Sequence, residues 1–301
     1  MTEFVQQLVN GLSNGAIYAL IALGYTMVYG ILKLINFAHG EVFMVGAFAG
    51  LMVQRGVGTQ LGVWVLLLAI VAAGVAGGTV AFLIERIAYR PLRKKPRIIA
   101  LITAIGVSIF IQNVVALLTR AAPYFWQPVF VAEGSETALY AIEPFVTYAD
   151  AFVIGGALAL MLLLQYIVYG TKMGKAMRAV SQNLDVASLM GINVNRVIAF
   201  TFVLAGGLAG AGAVLVGQKN GSVNYIMGLM PGLKAFVAAV LGGIGSVPGA
   251  LAGGLILGFA ETFVAAYLSS SYRDAIAFAV LIAVLLVRPS GIFGKYVPEK
   301  V

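Results

Sequence analysis

Cysteine is absent from this chain of 301 residues, which excludes a disulfide framework, a thiolate nucleophile and a cysteine-based zinc site. Histidine occurs once, at His39, so a multi-histidine metal or haem site is excluded as well. Charge is scarce: Asp, Glu, Lys and Arg make up 10% of the residues, against roughly 25% in a soluble domain. No Gly-x-x-x-x-Gly-Lys-Ser/Thr segment is present, so the chain has no phosphate-cradling loop and is not expected to hydrolyse ATP itself. His-Glu-x-x-His and Gly-x-Ser-x-Gly are also missing, and no cluster of polar groups converges as a membrane enzyme requires. What is abundant is apolar: 61% of the residues are hydrophobic and the mean hydropathy is +1.00. A globule in water needs far more polar surface than that. At about 20 residues per span, the expected fold is all-α, a polytopic membrane helix bundle of about eight to ten transmembrane helices. The apolar runs are continuous rather than alternating, which argues against a barrel.

The runs fall near 12–32, 35–53, 61–85, 98–119, 149–169, 197–217, 229–244, 248–268 and 275–288, with no positive segment ahead of the first that would mark a cleavable signal. The whole of 1–301 reads as one transmembrane domain. The net charge of +8 is that of a lipid-facing surface rather than a nucleic-acid site, because the basic residues punctuate the spans. Most of them lie in the connections around 86–97 and 172–196 and in the tail, with Lys33, whereas the 120–149 connection carries Glu133, Glu136 and Glu143 against Arg120. The positive-inside rule makes the first set and the C-terminus cytoplasmic and 120–149 an external loop. Nine spans put the N-terminus outside; a re-entrant 35–53 segment would put it inside. Glycine, with 37 copies, recurs at small-xxx-small spacing in Gly74/Gly78, Gly206/Gly210, Gly249/Gly253 and Gly254/Gly258, which suits close helix packing in lipid.

Two segments stand out. In Ile35-Asn36-Phe37-Ala38-His39-Gly40-Glu41, the residues Asn36, His39, Gly40 and Phe43 share a helix face. Ionisable groups at membrane depth usually face a bundle interior or a water-filled cavity. Asn36, His39, Gly40 and Glu41 are therefore candidates for a translocation pathway, with Gly40 allowing a bend. The alternative is a cytoplasmic turn with His39 hydrogen-bonded and Glu41 at the helix N-terminus. The second is the 170–196 loop, in which Met177, Val180, Leu184 and Ala187 recur at helical spacing and Gly191 is a helix stop. It reads as one or two short amphipathic helices on the inner surface, anchoring to lipid or docking a soluble partner. Of the lone charges within spans, Lys234 is expected to snorkel to the interface. Glu261 fits either a polar packing contact or the pathway.

These segments carry a resemblance. Gly24-Tyr25-Thr26-Met27-Val28-Tyr29-Gly30 followed by Ile35–Glu41 closely resembles the permease subunits of bacterial high-affinity branched-chain amino acid (leucine/isoleucine/valine) ABC importers. So do Glu85-Arg86-Ile87-Ala88-Tyr89-Arg90-Pro91-Leu92-Arg93, Ala104–Asn113, Met190-Gly191-Ile192-Asn193 and Ala238–Ala250, in collinear order over nearly the whole chain. The 120–149 loop shows little likeness. The resemblance implies a permease in the bacterial inner membrane that moves substrate by alternating access. Its partners would be two cytoplasmic ABC ATPases, a second, paralogous permease and a periplasmic binding protein. It binds no cofactor of its own, ATP being used by the partners. It also implies a bundle like that of the sugar-permease relatives, with a broken second helix. The family's Glu-Ala-Ala-like docking motif ending in Gly falls on Asp185, Ala187, Ser188 and Gly191 of the coupling loop, near Arg178, with departures at the motif's Glu and second Ala. The competing readings are an ABC permease for urea, a short amide or another amino acid, and a stand-alone secondary transporter, which would need mid-membrane carboxylates.

Overall fold

The structure is a computed structural model that describes residues 2–58, 62–93, 95–127, 129, 141–143 and 146–294. Glu133 and Glu136, used above to read orientation, lie outside the described residues, as do Lys94 of the 86–97 connection and Lys295 and Lys300 of the tail. Eleven α-helices are found among the described residues: α1 (Thr2–Leu32), α2 (His39–Val57), α3 (Val63–Ile84), α4 (Arg97–Thr119), α5 (Tyr148–Gly170), α6 (Lys172–Gln182), α7 (Leu184–Leu189), α8 (Val194–Asn220), α9 (Leu229–Gly242), α10 (Val247–Tyr267) and α11 (Arg273–Val287). Among the described residues, seven helices are long and apolar enough to cross a membrane, by length and composition: α1, α3, α4, α5, α8, α10 and α11 with its preceding turn. Of the nine apolar runs, the other two are α2, which carries His39, Glu41 and Arg55, and α9, whose 14 residues reach about 21 Å, short of a core about 30 Å thick.

Local chemistry sets the boundaries. Thr147, Thr171, Asn183, Asn193 and Ser246 each accept a hydrogen bond from a first-turn N–H of the helix that follows. Past Ile84, α3 loosens into a π turn (Glu85–Tyr89) and a 3-10 turn that holds Pro91, whose ring ends the run. A short antiparallel pair, β1 (Tyr124–Phe125) with β4 (Ser222–Val223), ties the α4–α5 connection to the end of α8. A second joins β2 (Ala141–Glu143) to β3 (Val146–Thr147).

Helix α8 is the hub and is largely buried, while α4 and α11 are mostly exposed. Lipid offers little hydrophobic drive for association, so packing relies on close backbone approach at small residues. A methyl on Gly77 would meet Gly206 O at 2.4 Å, and one on Gly210 would meet Ala73 O at 2.1 Å. Helices α3 and α8 therefore run antiparallel in direct contact. The α1–α10 crossing repeats the device, with Gly258 against Gly15 and Gly254 against Ala19. Helix α2 runs parallel to α8, with Gly46 at Gly210 and Gly50 at Val214. One face of the bundle accordingly gathers the ends of α1 and α3, the starts of α4 and α8, and α6 and α7: the strongly basic face of the sequence reading. The N-terminus of α1 lies on the opposite face with the α4–α5 connection, where Lys219 bridges Asp150 at 3.7 Å and donates to Ser13 Oγ at 2.7 Å.

Candidate functional site

The chain leaves α1 through Lys33, whose φ of 54° turns it sharply, and re-enters the bundle at Asn36. Asn36 is buried and starts α2: its Oδ1 accepts from Ala38 N at 3.2 Å and from the Tyr89 hydroxyl at 3.2 Å, and its carbonyl accepts from His39 N. Helix α2 then runs unbroken to Val57, so the interruption implied for the second helix falls before it, at residues 33–38. His39 is buried edge-on against Tyr25, with ring centroids 4.7 Å apart, and beside Gly24, where a methyl would lie 2.4 Å from its Nε2. Gly40 is the second residue of α2. It allows contact: a methyl there would lie 2.4 Å from the carbonyl oxygen of Gly228, just ahead of α9. Helices α2 and α9 thus begin side by side inside the bundle.

Beside that crossing lies a cavity of about 170 Å³ between α1, α2, α4 and the start of α9. Gly40 and Glu41 line it, with Tyr25, Ser108 and Gln112 as further polar groups and Phe37, Ile105, Ile109, Leu229 and Leu233 as apolar wall. Asn36 and His39 are not in the lining: Asn36 holds the turn ahead of Glu41, and His39 packs edge-on against Tyr25 with its Nε2 buried and without a hydrogen-bond partner among the described residues. Glu41 Oε1 accepts from Ser108 Oγ at 3.2 Å, while Oε2 is buried with no hydrogen-bond partner among the described residues. Ser108, Gln112 and the α9 start escaped the sequence reading of the site. Their residue types are ordinary in membrane helices, and their role depends on a fold that brings positions 41, 108 and 229 together.

A separate buried cluster sits where α1, α9, α10 and α11 meet. Lys234 pairs with Glu261 at 2.6 Å and Asp274 at 2.7 Å, the Tyr18 hydroxyl donates to Glu261 at 2.7 Å, and Arg273 stands 3.7 Å from Glu261. Lys234 is 5% exposed, so the snorkelling expected of it does not occur: a carboxylate one helix away neutralises it inside the bundle. Glu261 is held in a polar packing contact and does not line the cavity.

The 170–196 loop forms the two short helices α6 and α7 on the basic face. Met177, Val180 and Ala187 are buried against the bundle, whereas Leu184 is not. Arg178 turns back to donate to the Val168 carbonyl at the end of α5 and stacks over Tyr169 at 5.2 Å, so it fastens α6 to the bundle. Asp185 and Ser188 are exposed, Ser188 Oγ donating to the Asp185 carbonyl at 2.8 Å. Gly191 has φ 80° and ends α7 as a left-handed cap, with Ile192 N bonded to Ala187 O. Sequence periodicity missed the outward apolar tip: Leu189 and Met190 are 85% and 78% exposed. Next to it, Arg93 is paired with Glu85 and donates to Asn195 Oδ1 at 2.6 Å, joining the 85–93 turns to the start of α8.

Residues 7–285 match the family described as branched-chain amino acid transport system / permease component. The chain is 47% identical over 316 residues to the high-affinity branched-chain amino acid transport system permease protein LivH of Escherichia coli K12, covering 99% of this chain and 98% of that one. Identity to LivH of Salmonella typhimurium is 46% over 318 residues with the same coverage. Identity to the corresponding permease protein BraD of Pseudomonas aeruginosa is 44% over 306 residues, covering 99% of this chain and 98% of BraD. With likeness of that extent, this chain belongs to the branched-chain amino acid transport permease family.

Proposed function

We propose that this chain is the membrane-spanning permease subunit of an ATP-driven, binding-protein-dependent importer of branched-chain amino acids in a bacterial inner membrane. The observation that carries the reading is the near-full-length identity to LivH and BraD, proteins named as high-affinity branched-chain amino acid permeases. The basic face is cytoplasmic by the positive-inside rule, and the α4–α5 connection faces the periplasm. The energy comes from two cytoplasmic ABC ATPases, in keeping with a sequence that has no phosphate-binding loop. A second, paralogous permease completes the pathway and a periplasmic binding protein delivers the amino acid. The chain itself binds no cofactor.

In this reading the α6–α7 segment is the coupling element. Its exposed tip, Leu189 and Met190 with Asp185 and Ser188 beside it, enters a cleft on the ATPase. Ala187, Gly191 and Arg178 fix its shape and fasten it to α5. Closure of the ATPase dimer on ATP moves the segment and biases the bundle between outward- and inward-open packings, which requires contacts that differ between the two states. The pathway runs past Gly40 and Glu41, with Asn36 and His39 setting their position. Affinity isolation of the tagged chain in mild detergent tests the assembly. Stoichiometric recovery of ABC ATPases and a second permease is expected, and recovery of the chain alone with ATP-independent leucine transport would overturn the reading.

A further inference from the structure

We propose that Glu41 is the ammonium-binding residue of a substrate station inside the membrane, and that its occupant is a zwitterionic α-amino acid with a small apolar side chain. The proposal rests on the transport reading above for its physiological ligand, but its geometry stands apart from it. Glu41 is 2% exposed, one of its carboxylate oxygens has a single hydroxyl partner, Ser108, and the other has none. A buried carboxylate left half-satisfied is costly, and an occupant that brings N–H donors and positive charge removes that cost. The cavity lining contains no Lys, Arg or His to do so from within the protein. Lys234, the nearest basic residue of α9 in sequence, is taken up by Glu261 and Asp274.

The rest of the lining fits the other end of such a ligand. Helices α2 and α9 both start at the cavity; the first turn of α2 already carries Glu41 and has its Ala38, His39, Glu41 and Val42 N–H groups bonded to Asn36 and Ala38, whereas Gly228 gives α9 no side-chain cap. The N-terminus of α9 favours negative charge, which suits an α-carboxylate. Phe37, Ile105, Ile109, Leu229 and Leu233 form an apolar wall for the side chain. The volume of about 170 Å³ is of the order of the ~150 Å³ engineered cavity that admits benzene, so a leucine-sized apolar group fits.

The test uses the assembled transporter in proteoliposomes, with cysteine-free partner chains and the Gln112→Cys variant of this naturally cysteine-free chain. Gln112 lines the cavity and is half-buried, so a thiol there reports on its occupancy. Modification by a cationic methanethiosulfonate is expected to be slowed by leucine and by isopentylamine, which keeps the ammonium, but not by 4-methylpentanoate, which lacks it. Adding Glu41→Gln is expected to lower the ratio of cationic to anionic reagent rates about tenfold and leucine uptake about tenfold or more. Equal protection by 4-methylpentanoate, or an unchanged reagent ratio in Glu41→Gln, overturns the proposal even if leucine uptake is normal. The protection pattern needs no change at Glu41, so it decides the matter should that variant fail to assemble. If instead the unmodified transporter carries no branched-chain amino acid while isopentylamine still protects, the transport reading fails and the ammonium site stands.

Discussion

The buried cluster around Lys234 gives a quantitative test of how this bundle tolerates charge. Lys234 bridges Glu261, which is fully buried, and Asp274, whose side chain is 54% exposed. Removing one partner of a buried pair destabilises by about 3–5 kcal/mol, because the other charge is left behind. Lys234→Met leaves Glu261 with the Tyr18 hydroxyl at 2.7 Å and the half-exposed Arg273 at 3.7 Å, so the lower end, about 3 kcal/mol, applies. Glu261→Gln leaves Lys234 paired with Asp274, so a loss of about 1–3 kcal/mol follows. Asp274→Asn removes a half-exposed partner while the buried one remains, so less than about 1 kcal/mol is lost. Replacing both Lys234 and Glu261 by Met removes the two buried charges together and is expected to recover most of the single-mutant loss. The assay is thermal unfolding of the purified chain in mild detergent at one fixed heating rate. At about 2 °C per kcal/mol, Lys234→Met melts about 6 °C below the parent chain and Asp274→Asn within about 2 °C of it. Equal shifts for those two variants, or additive losses in the double Met variant, would refute the reasoning.

Three further outcomes follow from the packing and the coupling element. Gly210→Leu forces a side chain against the Ala73 carbonyl and is expected to separate α3 from α8, losing at least about 1–3 kcal/mol, read as a fall in melting temperature; a melt matching the parent would contradict the close crossing. Gly191→Val places a β-branched residue at φ 80° and is expected to fray the end of α7 by about 1–2 kcal/mol and lower substrate-stimulated ATPase activity of the complex, with Gly191→Asn milder; equal activity of the two would count against the cap's role. Leu189→Asp is expected to cut recovery of the ATPases with the chain while leaving its melting temperature within about 1 °C, since the residue is exposed; full recovery would place the docking surface elsewhere.

Much of the bundle was legible because lipid imposes length and polarity on a helix directly. The long apolar runs became helices close to their expected limits except α1, which starts ten residues earlier than its run, the paired glycines of α3, α8 and α10 lie at crossings, and periodicity in 172–192 marked α6 and α7. What sequence could not show is which polar groups meet. Lys234 and Glu261 lie on different helices, so each read as a lone charge until the fold put their atoms 2.6 Å apart. Arg178 read as part of the coupling loop; the fold shows it closing the end of α5, because an unsatisfied carbonyl lay within its reach. Gly40 read as a site for a bend, and sequence alone gave no sign that its missing side chain allows contact with Gly228 on a segment almost two hundred residues away. Asn36, His39 and Glu41 were singled out for the cost of polar groups in lipid. Only the fold divides them into Asn36, which holds a turn, His39, which packs against Tyr25, and Glu41, which lines a cavity.

The central claim, a pathway that draws its energy from separate ATPases, is tested most directly by leucine uptake into proteoliposomes holding this chain with and without its partner subunits. Accumulation is expected only when both permeases, the ATPases, the loaded binding protein and ATP are all present. Accumulation by this chain alone, or ATP hydrolysis by the purified chain, would contradict it.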